Sequence, residues 1–419
     1  MPSEWNSDVS APPTPLRRNR DYILLWTGQL ASAIGTDASA LAFPLLVLAL
    51  THSPLRAGIV GFAQTVPNLF LFLPAGALVD RWDRKKLMVR SDVVRALALG
   101  SIAVALAVDR LTFGQIVVVA LIEGGLSGLF RVAQTAALPQ VVAKEQLPAA
   151  IAQNQARDHG AGIVSQPLAG FLFSLSRAAP FAFDAITYLA SSISLLFIRP
   201  ALQEHRERSV QRLRAEIAEG LRWLWNERFL RTTSLLGAGI NFAHTAFFLV
   251  LIVRAKELGA SPTLIGVMFS IFAVEALVGS LIATWVQRHL NPSVFLIGAI
   301  WLWSLATAAL VFVHNTLALG AVAGLQALVG PSWNVIVVGY RYALVPDRLL
   351  GRVSSANSLL AWALLPLGPL TAGLLLEAFG AKTTFLVLAG AFAVIAIIAM
   401  SARTIRAAQR LETLAAGSS

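Results

Sequence analysis

Three acidic side chains stand where acids are costly. Asp37, Glu123 and Glu275 each fall near the middle of a long apolar run. An ionisable group inside a membrane is expensive enough to be a functional candidate by default. An apolar cavity disfavours the charged form of a carboxyl, so such a group can load and release a proton or neutralise a cation beside it. Asp37 is set among Gly35, Thr36, Ala38 and Ser39, which leave room around it. It lies about 15 residues, or about 22 Å, into its run. The competing use of an embedded acid is a protonated or ion-paired joint between helices. His244 reads either as a core histidine or as a proton carrier. Arg131 is expected to pair with an acid such as Asp158. Asp184 opens another run and reads as a helix cap. Trp333 and Asn334 offer an aromatic wall and an amide to a lipophilic ligand.

Acids at that depth need spanning elements to hold them. The chain has 419 residues, of which 56% are hydrophobic and 13% charged, with a mean hydropathy of +0.69. A soluble domain carries about 25% charged residues. A spanning helix needs about 20 mostly apolar residues. Such runs cover 22–49, 55–79, 88–108, 113–140, 150–176, 180–198, 229–253, 262–286, 293–313, 316–344, 354–377 and 382–402. The expected fold is an all-α membrane protein with twelve transmembrane helices in two six-helix bundles. Its expected divisions are a disordered, proline-rich tail (1–20), a first bundle (21–198), a linker (199–228), a second bundle (229–402) and a C-terminal tail (403–419). In the linker, Leu213, Ile217, Leu221 and Leu224 recur at three- and four-residue spacing, which predicts a surface helix. The halves echo each other: Leu138-Pro139 and Val345-Pro346 close their fourth spans, and Pro167 with Gly170 answers Pro369 with Gly373. A repeat of six spans marks a two-bundle carrier with its site between the halves.

Lysine and arginine set the orientation, because cytoplasmic loops collect them. With both termini cytoplasmic, the outward loops hold only Arg56, Arg110, Arg177, Arg254, Lys256 and Lys382. The net charge of +11 is therefore a topology signal and not a nucleic-acid surface. A multi-pass protein of the plasma (inner) membrane is expected, as a monomer. There are no cysteines, so no disulfide and no thiolate metal site is expected. No His-Glu-x-x-His, Gly-x-Ser-x-Gly or P-loop pattern occurs, so neither an enzyme nor a nucleotide-driven pump is expected, and no cofactor or metal.

The sharpest local pattern runs from Gly76 to Lys86, after the second span. A glycine there lets another helix approach closely. Asp80 sits at a helix end, and Arg81, Arg84, Lys85 and Lys86 can grip acidic groups or anionic lipid. This segment resembles the signature loop of the major facilitator superfamily at Gly76, Leu78, Asp80, Arg81, Arg84 and Lys85. Val79 and Asp83 depart from it. The resemblance implies a loop that gates the switch between inward- and outward-open states. The run from Gly162 through Pro167 to Gly170 is similar to an antiporter motif, with Gln166 in place of its central glycine. Gly35-Thr36-Asp37, Leu138 to Val142, Phe183 to Leu189 and Glu219 to Trp225 resemble the macrolide-efflux and enterobactin-exporter branch. That branch implies export of amphipathic small molecules in exchange for protons. In the superfamily, spans one, four, seven and ten line the cavity, which would place Asp37, Glu123, His244, Trp333 and Asn334 near the substrate path. The expected partners are a small-molecule substrate, protons and membrane lipid. Uptake or lipid carriage on the same fold is the alternative.

Overall fold

The computed structural model describes residues 14–199, 202 and 213–408; of 72–77, 80 and 213–217 it describes the backbone alone. Among the described residues every regular element is helical. Six long helices come first: α1 (Arg20–Thr51), α2 (Pro54–Arg81), α3 (Arg84–Ala107), α4 (Phe113–Val141), α5 (Leu147–Leu175) and α6 (Ala179–Leu196). A shorter α7 (Leu213–Asn226) precedes α8 (Arg228–Glu257), α9 (Pro262–His289), α10 (Pro292–Ala309) and α11 (Thr316–Leu344). The chain ends with α12 (Asp347–Trp362), α13 (Leu367–Ser401) and the single turn α14 (Arg403–Arg406). Polar residues at the heads of the apolar runs start the helices. Asn19, Ser53, Thr112 and Asn315 each accept a hydrogen bond from a first-turn amide, the preferred chemistry for that position.

Among the described residues, eight stretches are long and apolar enough to cross a membrane on length and composition alone. The longest, Asp347–Ser401, makes two passes and turns at Gly380, whose φ of 74° is left-handed. Helices α3 and α5 carry more charge, and they bury much of it: Asp92, Arg95 and Arg157 are all buried. With α2 they complete twelve passes in two six-helix bundles. The pairing of helices repeats between the halves. Helix α2 packs on α4 as α9 packs on α11, and α3 on α6 as α10 on α13. Across the two bundles, α5 meets α9 as α13 meets α2.

The apolar core shows where the bundles join. Away from the termini it is one body, in which Phe43, Leu46 and Phe181 of the first bundle are continuous with Phe247, Phe269 and Phe385 of the second. Toward the termini it splits. One core holds Leu16, Tyr22, Phe130 and Leu138; the other holds Leu224, Trp303, Tyr340 and Ile405. The bundles therefore touch at the end far from the termini and part at the near end.

Two expectations need correction. The span read as continuous over 354–377 starts at Asp347 and is interrupted at residues 363–366. Pro366 lacks an amide hydrogen, and a proline also disfavours helix at the residue before it. The chain tightens there into i→i−3 bonds, Leu365 N to Trp362 O at 3.1 Å and Gly368 N to Leu365 O at 3.2 Å. Side chains of α8 satisfy freed carbonyls: Asn241 Nδ2 donates to Ala361 O at 2.9 Å and Thr245 Oγ1 to Leu365 O at 3.2 Å. A break at membrane depth is tolerated where neighbouring helices supply such partners. The second correction concerns the tail, expected to be disordered through residue 20. Leu16–Arg18 form a 3₁₀ turn with Leu16 buried, and Asn19 Nδ2 donates to Val141 O at 2.7 Å. Residues 1–13 lie outside the described ones.

The linker contains the expected surface helix, α7. It packs on α12, where Gly220 faces the Arg352 backbone and Glu219 pairs with the Arg352 guanidinium. Leu224 is buried and Leu221 partly so, while the Leu213 and Ile217 side chains lie outside the described ones.

Candidate functional site

Asp37 opens into a cavity of about 260 Å³ between the bundles, just inside the joined end. Asp37, Ala40, Leu41 and Pro44 line it at i, i+3, i+4 and i+7, so one stripe of α1 forms that wall. The opposite wall is Phe248 and Phe269 of the second bundle, stacked with ring centroids 5.8 Å apart. Gln64, Gln166 and Thr245 add polar groups, and Asp37 is the one ionisable residue in the lining. Ser165 Oγ of α5 donates to Asp37 Oδ2 at 3.4 Å, and Gly162 leaves the space beside that oxygen open. One carboxylate among aromatic walls and a few amides suits an amphipathic ligand, above all one with a cationic end.

Glu123 does not face this cavity. It is buried inside the first bundle, where Arg95 Nε donates to both of its oxygens at 3.1 Å. Arg95 Nη2 also donates to Glu123 and to the Tyr188 hydroxyl, and Tyr188 donates to Glu123 Oε1 at 2.7 Å. At 3.6 residues per turn, Glu123 points about a third of a turn away from Gly128, Arg131 and Val132, the α4 residues that face the gap between bundles. His244 is likewise turned into the second bundle, edge-on to Trp303 at 5.0 Å and Phe392 at 5.3 Å. Trp333 packs against Trp303 at 5.6 Å, and Asn334 is exposed; neither lines the Asp37 cavity. The Glu275 carboxyl lies against Gly324 of α11, inside its own bundle, and its Oε2 has no hydrogen-bond partner. Asp184 is not a cap. It is fully buried in α6 and accepts from Ser39 Oγ at 2.5 Å and Thr187 Oγ1 at 3.2 Å. The Arg131–Asp158 pair does not form: Asp158 accepts from its neighbour Arg157 at 2.8 and 2.9 Å. Arg131 instead opens into a second cavity, of about 300 Å³, with Asn68 and Trp362.

Nothing in the sequence marks Phe248, Phe269 and Gln64 among its many aromatics and amides, and Gln166 stands out there only as a departure from the antiporter-like motif. Asp92 and Arg95 were also missed, although opposite charges one helical turn apart inside an apolar run are a signal that could have found them.

The loop after α2 acts within its own bundle. Arg84 Nη1 donates to Ala136 O at 2.9 Å and to Leu202 O at 3.3 Å. Lys85 Nζ donates to Leu196 O at 2.9 Å and Ile198 O at 2.7 Å. Among the described residues, these cations hold carbonyls in the last turns of α4 and α6 and just beyond α6, where a helix end attracts positive charge. Asp83, where the signature loop has glycine, caps α3 by accepting from Lys86 N at 3.0 Å. Arg81 is exposed. The backbone of α2 runs through Gly76 and Asp80, but their side chains lie outside the described ones.

The antiporter-like segment lies on the seam between bundles. Pro167 is inside α5, and Gln166 and Pro167 face Gly266 of α9. A Cβ at Gly170 would overlap the Pro262 carbonyl. Across the matching α2–α13 seam, Glu377 Oε2 accepts from Ser53 Oγ at 3.0 Å and from Leu55 N at 3.2 Å. Valine at Gly170 is therefore expected to hold the seam open without disturbing either bundle. With Ala57 replaced by cysteine in this cysteine-free chain, a membrane-impermeant maleimide added on the side opposite the termini should label Gly170→Val several-fold faster than the parent. Equal labelling would show that the glycine contact does not govern closure.

The model of the family described as transmembrane secretion effector matches residues 10–333. The chain belongs to this family of the major facilitator superfamily. Among curated relatives, the multidrug efflux pump Tap of Mycolicibacterium fortuitum is 26% identical over 390 residues, which cover 90% of this chain and 94% of Tap. Macrolide efflux protein A of Streptococcus pyogenes is 24% identical over 397 residues, covering 92% and 96%. Among solved structures, the nucleoside transporter NupG superposes with a TM-score of 0.77 at 13% identity, covering 92% of this chain and 100% of NupG. A bacterial homologue of ferroportin in an inward-facing state gives 0.69 at 17% identity, covering 92% and 98%. These structural likenesses concern the fold of this superfamily member, joined at one end and parted at the other.

Proposed function

We propose that this superfamily member is a secondary active exporter of amphipathic small molecules, working by alternating access in exchange for protons. The observation that carries the reading is the Asp37 cavity, which lies between two bundles that share a core at one end only. A ligand held there touches both halves, so it can bias their relative position. Charge distribution supports cytoplasmic termini. The parted end then faces the cytoplasm, the loading side for an exporter, and the protein resides in the plasma membrane. The relatives named for multidrug and macrolide efflux support the direction and the substrate class. The 21–198 and 229–402 segments serve as the moving units of a monomer. Asp80 and the basic loop around it act as the gate near the lipid surface.

Inverted membrane vesicles test this. With an inward-acid pH gradient, they should accumulate a lipophilic monocation such as tetraphenylphosphonium or a basic macrolide, and a protonophore should abolish the accumulation. Accumulation only in right-side-out vesicles would reverse the direction. Accumulation indifferent to the protonophore would remove the proton from the mechanism.

A further inference from the structure

Gly35 and Thr36, and the segment Phe183 to Leu189, belong to stretches that resemble the efflux branch, and they converge on one place that is not the cavity. Gly35 packs against Asp184 and Thr187. Thr36 Oγ1 lies 2.7 Å from the Tyr188 hydroxyl. Around them, helices α1, α3, α4 and α6 enclose Asp92, Arg95, Glu123, Asp184 and Tyr188, none more than 6% exposed.

The charges there do not balance. Three carboxyl groups face a single guanidinium. Arg95 contacts Glu123 through two nitrogens and lies 3.7 Å from Asp92 Oδ1. Asp184 is within electrostatic reach of both Arg95 and Glu123. Fully ionised, the cluster would carry a net charge of minus two at membrane depth, and a single proton lowers that to minus one. Each uncompensated buried ion costs several kcal/mol even after relaxation. Glu123 takes the guanidinium and the tyrosine hydroxyl. Asp184 has two hydroxyl donors. Asp92 is different: it is fully buried and neither of its oxygens accepts a hydrogen bond. Its hydroxyl neighbour is Ser191, which itself accepts from Gln29 Nε2 at 3.2 Å. A carboxylate with no donor is the form of this side chain that burial penalises most.

We infer that the Asp92–Arg95–Glu123–Asp184–Tyr188 cluster is a proton-binding site, walled off from the substrate cavity, with its resident proton on Asp92. The groups facing Asp92 are Arg95 on its own helix, Glu123 on α4, and Ser191 on α6, with Asp184 and Tyr188 of α6 one contact further on. Helix α1 contributes only hydroxyls and the Gln29 amide, because Asp37 points the other way, into the cavity. Those hydroxyls, Thr36 and Ser39, flank Asp37 in sequence, so the protonation state of the cluster is felt on the helix that binds substrate. The proton itself follows from charge and geometry and does not depend on the transport reading.

Infrared spectroscopy of the purified full chain in lipid nanodiscs tests this, reading the carboxylic-acid C=O band at neutral pH in water and in heavy water. Asp92→Asn should lose the intensity of one protonated carboxyl, and Asp37→Asn should keep that intensity. Since asparagine copies the shape of a neutral aspartic acid, Asp92→Asn should also melt at the parent's temperature near neutral pH. As pH rises, the parent should lose stability faster than this variant, because its folded form holds a proton that the unfolded chain gives up. An unchanged band in Asp92→Asn would overturn the assignment. So would a melting temperature that falls in Asp92→Asn and is restored only by Asp92→Glu, the mark of an ionised partner for Arg95. Intact bands in a chain that fails to transport would count against the export reading alone.

Discussion

Arg95→Met is expected to destabilise the first bundle by about 3–5 kcal/mol, the range for removing one partner of a buried ion pair. Two things are lost together. Glu123 forfeits its two-nitrogen partner, and Tyr188 forfeits the cation that sits 3.9 Å above its ring centroid. With methionine in place, Glu123 must either stay charged among apolar groups or take up a proton. The defect should therefore be worst at high pH and ease as pH falls. The double variant Arg95→Met/Glu123→Gln removes the charge along with its partner and should recover most of the loss. Thermal unfolding of the four proteins of this cycle in detergent, at two pH values, measures the coupling. A single variant as stable as its parent would mean that Arg95 is not the counter-ion that holds Glu123.

Asp37→Asn is expected to leave the fold intact and to weaken binding of a monocationic substrate about tenfold to a hundredfold, about 1.4 kcal/mol for each tenfold. The change keeps the size of the side chain and its place beside Ser165. What disappears is the one negative charge in the wall opposite Phe248 and Phe269. A neutral amphiphile of similar size should bind nearly as well as before, since its contacts are with the aromatics and the apolar stripe of α1. Binding of both ligands to nanodisc-embedded protein, followed by tryptophan fluorescence or calorimetry, makes the comparison. Equal losses for charged and neutral ligands would point to altered cavity shape, and no loss for either would place the substrate away from Asp37.

The twelve passes were legible because each demands a long apolar run, and no other element can satisfy its backbone in lipid. The interruption of the eleventh was written in Pro366 but hidden by the apolar residues on either side. Position along the helix was legible too: Asp37, Glu123, His244 and Glu275 all lie well inside α1, α4, α8 and α9. Rotation was not. Whether a mid-depth acid meets a cavity or a neighbouring helix depends on how both helices are turned, and a period of 3.6 residues says nothing of which face a partner will take. Asp37 and Glu123 have the same type and depth, yet one faces the gap and the other an arginine. Asp184 shows the same limit at a helix end. It lies six residues past the N-cap Ala178, too far inside α6 to cap it, and only the helix boundary reveals that.

The packing of α7 bears on how the chain is divided. The helix clings to α12 through Gly220 and Glu219 and buries Leu224 in the second bundle's core. At the head of the first bundle, the turn at Leu16–Arg18 buries Leu16 in that bundle's own core. Among the described residues, each bundle thus has a short element ahead of its six passes that docks on that bundle's own core. A push on α7 is therefore felt first by the second bundle, as a push on the Leu16–Arg18 turn is felt first by the first bundle.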